Sequence, residues 1–208
     1  MASPSRLSTT RAAVAHLKRA DPVMRDVIAR VGPCRLEVRG EGTHFDALAR
    51  AILYQQLSGK AAATIHGRVR DRFGGRDPSP AELLQCPDED LRACGVSRQK
   101  LGYLRDLAAH AADGRLALDD VHALDDEAVI AALTAVKGVG RWTAQMFLMF
   151  RLGRPDVLPE LDLGVQKGVQ LAYGLRTLPT PKRLQAIGAR WAPYRSVGSW
   201  YMWRVLEL

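Results

Sequence analysis

The sequence has few cysteines, and their number and spacing exclude two kinds of protein. Cys34, Cys86 and Cys94 are the only three in 208 residues. An odd count at wide spacing excludes a fully paired disulfide framework and a site built from four cysteines, whether zinc or iron–sulfur. We therefore expect all three thiols to be reduced and buried, as in a cytosolic protein.

The chain also lacks long apolar runs. No segment approaches the ~20 apolar residues that a membrane helix needs. Residues 1–18 contain no apolar stretch followed by a small-residue cleavage site, which a secretory signal would require. These features predict a protein without membrane contact that is cytoplasmic, and associated with the nucleoid if its source is bacterial.

Common nucleotide and metal motifs are missing as well. There is no phosphate-binding loop of the G-x-x-x-x-G-K-[ST] type and no dinucleotide fingerprint after a strand. The five histidines have no catalytic-metal spacing, and we expect them to be exposed; they are His16, His44, His66, His110 and His122. No catalytic cofactor is therefore expected.

Positive charge is abundant. The chain has 30 Lys and Arg residues against 22 Asp and Glu residues, which gives a net charge of +8. This balance favours a polyanionic partner, although basic charge alone does not identify one. Hydrophobic residues make up 47% of the chain, which is typical of a globular protein.

The hydrophobic pattern is helical nearly throughout. Apolar residues between Phe45 and Leu53 recur at three- and four-residue steps, as one helix face requires. Helix starts are marked at Thr43, Ser79 and Thr180. Helix ends are marked by glycine at 74, 75, 95, 114, 153 and 174. These signals predict an all-α chain of about ten helices.

Strand signals are weak. Only residues 34–38 alternate like a strand, and this segment could also be a loop. Residues 1–10 are predicted to be a frayed tail. Because no composition shift marks a linker, we predict a single domain over residues 1–208. It would consist of two interlocked helical lobes with a cleft between them as the natural site.

The most informative segment is residues 133–144. A helix arrives at Val136, residues 138–140 (Gly-Val-Gly) turn tightly, and a second helix starts near Arg141. Glycine permits positive φ and a close approach of the backbone to a ligand. The N–H groups at a helix start attract anions such as phosphate, and Lys137 adds charge. Taken alone, this pattern also fits a simple corner between two helices.

Asp162, before a further predicted helix, is the second candidate. Aspartate is a preferred N-cap residue, and most aspartates in this position only cap a helix. Asp162 follows Trp142 by twenty residues, across one helix and one loop. A helix followed by a loop that reverses the chain direction can place the Trp142 and Asp162 side chains in one cleft.

Together these segments resemble the helix–hairpin–helix, Gly/Pro-Asp superfamily of DNA base-excision glycosylases, and most closely its alkylpurine (3-methyladenine) glycosylases. The matching pieces, in the family's order, are residues 51–58, residues 95–100, the hairpin followed by Asp162, and residues 191–204. The resemblance implies an all-α fold of two helical lobes with a helix–hairpin–helix motif. The N-terminal β domain of longer relatives is not expected here.

The resemblance also implies catalytic roles. Asp162 stands where the family keeps its essential carboxylate. Trp142 stands where bifunctional members carry a nucleophilic lysine, and a tryptophan cannot form a Schiff base. We therefore expect hydrolysis of the glycosidic bond without strand cleavage.

The flipped base should lie against residues that the resemblance places in a pocket. These are Trp142, Trp203, Met146 and Tyr54. Trp203 aligns with a base-stacking tryptophan, and Met146 replaces an aromatic residue of some members. We expect the remaining tryptophans, Trp191 and Trp200, to pack in the core.

Further residues are expected to touch DNA. Gln56 is a polar residue one turn beyond an apolar helix face, where the pattern calls for an apolar one. It is either a core residue whose amide is hydrogen-bonded or the plug that fills the space left by the flipped base. We favour Gln56 as the plug, with Leu57 as the alternative and Ser58 beside them. Ser97 would probe the opposite strand, although serine there is also an ordinary N-cap.

The hairpin is expected to contact the DNA backbone. The residues concerned are Lys137, Gly138, Val139, Gly140, Arg141 and Thr143. Lys137 replaces the family's usual proline. In relatives the hairpin also holds a monovalent cation, Na⁺ or K⁺, through backbone carbonyls, which here would be those of Thr134, Val136 and Val139.

The first hypothesis is a monofunctional, monomeric DNA glycosylase of base excision repair. It would excise 3-methyladenine, 7-methylguanine and similar alkylated purines from double-stranded DNA by base flipping. Two alternatives stay open: a non-catalytic hairpin module that binds DNA, and a bifunctional glycosylase/lyase for oxidised bases. The sequence leaves open whether 1-methyladenine, ethenoadenine or hypoxanthine is also removed.

Overall fold

The computed structural model describes residues 5–6 and 10–208. This part of the chain is helical, with two short 3-10 turns at Leu118–Ala123 and Ala189–Trp191. The helices are α1 (Thr10–Ala20), α2 (Pro22–Val31), α3 (His44–Tyr54), α4 (Gly59–Arg72), α5 (Pro80–Gln85), α6 (Asp88–Ala93), α7 (Arg98–Ala112), α8 (Asp126–Thr134), α9 (Arg141–Phe150), α10 (Leu163–Ala172), α11 (Pro181–Gly188) and α12 (Arg195–Val205). The all-α prediction is confirmed, with twelve α-helices in the described residues instead of about ten.

The β-structure in the described residues consists of two short strands, each two residues long. Strand β1 (Ser5–Arg6) pairs antiparallel with β2 (Glu37–Val38), and Ser5 lies opposite Val38. The predicted strand over residues 34–38 therefore forms only at its last two residues. The prediction of a frayed tail over residues 1–10 is wrong at Ser5–Arg6, which pairs with β2, and at Thr10, which begins α1. The rest of that prediction, at residues 1–4 and 7–9, lies outside the described residues.

The predicted helix starts are confirmed by their side-chain hydrogen bonds. The Thr43 hydroxyl accepts the backbone N–H of Asp46, and the Asp46 carboxylate accepts the N–H of Thr43 in return. Ser79 and Glu82 form the same reciprocal pair at α5. Thr180 caps α11. The glycines predicted to end helices all have positive φ, which only glycine adopts without strain.

The chain forms two compact units. The terminal unit comprises residues 1–41 and 148–208, and the central unit comprises residues 42–147. The core of the terminal unit is built mainly from α1, α2, α10 and α12. Trp191 and Trp200 are buried in it, as predicted. Gly168 brings α10 against α12 so closely that a Cβ there would lie 2.1 Å from the Met202 carbonyl oxygen.

In the central unit, α3 packs against α4 and α7, and α5 packs on α7. The apolar face predicted for α3 is buried, including Phe45, Leu48 and Ile52. The three cysteines are buried and form no disulfide, which confirms their prediction. Burial raises the pKa of the Cys86 and Cys94 thiols. Within the described chain, no helix is both long and apolar enough to cross a bilayer.

Candidate active site and DNA-binding surface

Asp162 caps α10 and makes a second, long-range contact. Its Oδ1 accepts the backbone N–H of Val165 at 2.7 Å, as an N-cap requires. The same oxygen accepts the indole N–H of Trp203, 41 residues away, at 2.8 Å. The side chain is half-buried. The carboxylate is thus held from two directions and remains accessible in part, which suits a group that must meet a charged substrate.

Trp203 therefore has a contact that its predicted role did not include. One ring face stacks on Phe150, with centroids 5.8 Å apart and an angle of 26° between the planes. The indole edge meets Asp162. Base stacking by Trp203 stays a prediction, while its hydrogen bond to the proposed catalytic carboxylate is a feature of the structure.

The other predicted pocket residues belong to the central unit. Trp142 and Met146 are four residues apart on α9 and so share one face. The Trp142 indole is 47% exposed, which is unusual for the largest apolar side chain. Tyr54, at the end of α3, lies under the Arg50 guanidinium at 5.0 Å and against the edge of His66. The Trp142 ring is exposed and the Tyr54 ring is half-buried, so both can be reached from solvent, as a base pocket would need.

Gly138 makes the hairpin turn, and α7 supports it. Gly138 has φ +82°, and a Cβ there would lie 2.2 Å from the Tyr103 ring. The Gln55 side-chain amide donates to the Gly138 carbonyl at 2.8 Å. The backbone N–H of Lys137 donates to the Asp106 carboxylate at 2.8 Å. Three side chains that the sequence analysis did not single out therefore fix this turn.

The two hairpin glycines differ. Glycine permits a positive φ at both positions, and Gly138 adopts one whereas Gly140 does not. A Cβ on Gly140 would meet no atom within 4 Å. Val139 and Thr143 are buried, so only their backbone groups could reach a phosphate. Lys137 is exposed and is the side chain of this turn best placed to add charge.

Arg141 already has an anionic partner. Its guanidinium makes a two-pronged salt bridge with the Glu127 carboxylate, at 2.9 and 2.6 Å. This hydrogen bonding lowers the pKa of Glu127. The predicted phosphate contact of Arg141 would therefore require the guanidinium to leave or share Glu127.

The turn between α3 and α4 carries the predicted plug. Gln56 lies beyond the end of α3, is exposed and has φ +54°, which is rare for a residue with a side chain. It does not continue the buried face, so the possibility of a satisfied core glutamine is excluded. Leu57 is 40% exposed. The Ser58 hydroxyl caps α4 by accepting the Ala61 N–H at 3.3 Å, so it has a structural role in addition to any DNA contact.

This turn is also anchored to α7. The Lys100 ammonium donates to the Leu53 carbonyl at 2.7 Å, at the end of α3. Burial lowers the pKa of Lys100. Ser97 is exposed and caps α7, accepting the Lys100 N–H at 3.2 Å. The capping interpretation of Ser97 is confirmed, and a contact with the opposite strand stays a prediction.

The N-terminal part of α7 therefore links three predicted DNA-contacting turns. Ser97 starts the helix, Lys100 holds the plug turn, and Tyr103 and Asp106 hold the hairpin. Neighbouring members of this set are three positions apart, so each lies beside the next and the series winds around the first turns of the helix. That spacing is the only signal in the sequence that could have identified them.

The expected cation site would be formed by backbone carbonyl oxygens. Backbone carbonyl oxygens are hard ligands suited to Na⁺ or K⁺. The Val136 carbonyl accepts the Val139 N–H at 3.1 Å, and a carbonyl has a second lone pair for an ion. Coordination of an ion by the carbonyls of Thr134, Val136 and Val139 stays a prediction.

The histidine expectation is partly wrong. His66 and His110 are buried. His66 Nε2 lies 2.5 Å from the Asp77 carboxylate, and His110 Nδ1 lies 2.8 Å from the Asp106 carbonyl. Polar partners therefore allow both rings to be buried. In the part of the chain that the structure describes, no three His, Cys, Asp or Glu side chains are grouped to hold a metal ion.

Comparisons with known proteins agree with this geometry. The profile described as "HhH-GPD superfamily base excision DNA repair protein" matches residues 49–193. DNA-3-methyladenine glycosylase 1 of Schizosaccharomyces pombe is 33% identical over 204 residues, covering 97% of this chain and 89% of that protein.

Two solved structures are similar over nearly the whole chain. The 3-methyladenine DNA glycosylase of Schizosaccharomyces pombe, in complex with abasic DNA, superposes with a TM-score of 0.83 at 31% identity, covering 95% of this chain and 97% of that one. A DNA-3-methyladenine glycosidase from Bacillus halodurans gives a TM-score of 0.84 at 38% identity, covering 94% and 89% of the two chains.

Proposed function

Since the chain belongs to the HhH-GPD superfamily of base excision DNA repair proteins, we propose that it is a monofunctional DNA glycosylase that excises alkylated purines. It acts on double-stranded DNA, hydrolyses the N-glycosidic bond and leaves an abasic site. The observation that carries the proposal is a fixed, half-buried carboxylate at Asp162, the position that matches the family's essential aspartate.

The chemistry needs only one such carboxylate. Methylation at N3 or N7 gives a purine a positive charge, so the base is a good leaving group without protonation. The enzyme must then stabilise the positive charge that develops on the sugar and admit water. A preorganised anion beside the sugar contributes about 10²–10³ in rate, or ~3–4 kcal/mol. Asp162 supplies that charge and can orient the attacking water.

Access to the base requires its removal from the helix. Extrusion of a nucleotide costs a few kcal/mol, approximately, and a side chain inserted into the vacated space offsets that cost. Gln56 supports this role because its left-handed backbone projects an exposed side chain from a short turn. Leu57, exposed beside it, is the alternative plug.

Holding the flipped base requires an electron-rich surface. Indole and phenol rings attract a cationic purine through stacking and cation–π interaction, worth about 0.5–2 kcal/mol per ring. Trp142 supports this role through its exposure, with Tyr54, Met146 and Trp203 as further pocket residues. Because Trp142 replaces the nucleophilic lysine of bifunctional relatives, release occurs by hydrolysis alone.

Backbone binding is assigned to the hairpin. The first-turn N–H groups of α9 point at the approaching phosphate, as helix starts do. The exposed Lys137 adds charge, and the carbonyl-bound cation would reinforce the turn. Because these contacts are ionic, DNA affinity should fall steeply with salt. We further propose that the protein acts as a monomer in the cytoplasm.

A release assay on duplexes with single defined lesions tests the proposed activity. We expect release of 3-methyladenine and 7-methylguanine, with an abasic strand that stays intact until alkali is added. Borohydride treatment during the reaction should trap no covalent adduct. An adduct with an 8-oxoguanine duplex would instead establish a glycosylase/lyase. DNA binding without release from any duplex would establish the non-catalytic module.

A further inference from the structure

Asp162 is not held by its helix alone. The N-cap bond to Val165 fixes one direction of Oδ1, and many N-cap aspartates have only this bond. Here the Trp203 indole N–H adds a second donor to the same oxygen at 2.8 Å. The donor comes from α12, whereas Asp162 starts α10.

Two glycines on α10 make this contact possible. A Cβ on Gly164 would lie 2.8 Å from Trp203 Cδ1, 3.0 Å from Trp203 Nε1 and 3.0 Å from Asp162 Oδ1. One turn later, Gly168 lets α10 meet the backbone of α12 at Met202. Residues four apart share a helix face, so Gly164 and Gly168 leave one face of α10 without side chains. The Trp203 indole can therefore approach the Asp162 carboxylate along this face.

The indole is also held on its face. It stacks on Phe150 with centroids 5.8 Å apart. The Phe150 carbonyl accepts the Arg39 N–H at 2.7 Å, and the Arg39 guanidinium lies over the Phe150 ring at 6.0 Å. Since both the ring face and the ring edge are fixed, the N–H is directed at Asp162 with little rotational freedom.

We propose that Trp203 is a positioning residue for Asp162, acting through its indole N–H. The inference deepens the proposed function and rests on it. A carboxylate stabilises the cationic sugar only if it is already oriented when charge develops, because reorientation during the reaction costs part of the gain. Trp203 and the N-cap bond together supply that orientation, whereas base stacking would use only the ring face.

The substitution Trp203→Phe separates the two roles. Phenylalanine keeps an aromatic face and lacks the N–H donor. Loss of a hydrogen bond to a charged group should lower the single-turnover rate of base release by about 10- to 100-fold. DNA affinity should change by no more than about twofold. A variant with the wild-type rate and weaker binding would overturn the proposal in favour of stacking alone.

Trp200→Phe is the matched control. It is the same replacement on the same helix, in a residue whose ring contacts Tyr201 and Arg204 and not Asp162. It should leave the rate within about twofold of wild type. An equal rate loss in both variants would show that general repacking of α12 explains the effect, and this would contradict the proposal.

A spectroscopic measurement tests the contact without catalysis. In ¹H–¹⁵N spectra the Trp203 indole resonance is identified by its disappearance in Trp203→Phe. In Asp162→Ala this resonance should move upfield and exchange faster with solvent, because its acceptor is gone. An unchanged resonance would overturn the positioning role even if the enzyme is active. A shifted resonance in a protein that releases no base would instead show that the contact exists and the proposed function fails.

Discussion

At the scale of single residues, the two hairpin glycines serve different purposes. Gly138 is required by the protein itself, since its φ is positive and the Tyr103 ring occupies the space of a Cβ. Gly140 meets neither condition. The open space at Gly140 is where a phosphate backbone would approach in the proposed complex. Folding therefore explains the first glycine, and a close approach of DNA is the role we propose for the second.

Alanine at each position should separate these roles. Gly138→Ala should destabilise the protein by at least ~2 kcal/mol, because a left-handed alanine is strained and the Tyr103 ring must move. Gly140→Ala should leave stability within ~0.5 kcal/mol and weaken DNA binding about tenfold. Urea unfolding and fluorescence-anisotropy titration measure the two effects. Normal DNA binding by Gly140→Ala would mean that the hairpin backbone does not approach the DNA closely.

At the scale of secondary-structure elements, local signals predicted the helices, and long-range contacts determined how they are joined. The caps at Thr43, Ser79 and Thr180 lie within three residues of their partners, so the sequence displays them. Gln55 contacts Gly138 across 83 positions, and Trp203 contacts Asp162 across 41. Spacing along a single chain carries no information about such pairs, and both were missed.

The Arg141 prediction shows the same limit. From the sequence, an arginine at a helix start indicates a phosphate contact. In the structure, Glu127 at the start of α8, 14 positions earlier, pairs with it. An acidic residue in the first turn of a helix is ordinary, because it interacts favourably with the helix dipole. Nothing in that local pattern indicates that the same carboxylate also neutralises the hairpin arginine.

A buried polar network joins three elements of the terminal unit. The Tyr173 hydroxyl, after α10, donates to the Asp21 carboxylate at 2.6 Å and accepts the Trp191 indole N–H at 3.2 Å. Asp21 is fully buried and caps α2. The Arg190 guanidinium lies 3.9 Å from the same carboxylate. Burial, followed by the neighbouring carboxylate, raises the pKa of Tyr173.

Tyr173→Phe should lower the free energy of unfolding by about 1–3 kcal/mol at neutral pH, because a buried carboxylate and an indole N–H each lose a partner. Above pH ~10 the tyrosine ionises in the unfolded chain and stays protonated in the folded one. Wild-type stability should therefore fall as pH rises, and the difference between the two proteins should shrink. Urea unfolding at pH 8 and pH 11 measures this.

Tyr103→Phe is the control for that experiment, because the Tyr103 hydroxyl only accepts an exposed contact from Gln99. Its stability difference from wild type should stay small at neutral pH. A Tyr173→Phe difference that grows with rising pH would contradict the assigned direction of the pKa change.

At the scale of the whole molecule, charge is divided unevenly between the two units. Residues 42–147 contain 13 basic and 14 acidic side chains, which gives that unit a net charge of −1. The rest of the chain contains 17 basic and 8 acidic side chains, which gives a net charge of +9. The net positive charge is consistent with the DNA partner proposed above. It does not reside in the unit that contains the hairpin, so the proposed phosphate contact of the hairpin would depend on its oriented backbone and on Lys137.

The family assignment came from motifs in a fixed order, which one sequence displays fully. The selectivity for particular bases depends on pocket shape. The surroundings of Trp142, Met146 and Trp203 depend on tertiary packing within each unit, so they could not be derived from spacing.

The most direct test of the account compares base release by wild type and Asp162→Asn on a 7-methylguanine duplex, with DNA affinity measured in parallel. Asparagine retains an oxygen for the Val165 and Trp203 N–H groups and lacks the negative charge. We predict a rate at least 10²-fold lower and DNA affinity within about threefold of wild type. Release at the wild-type rate would contradict the claim that the charge of Asp162 drives catalysis.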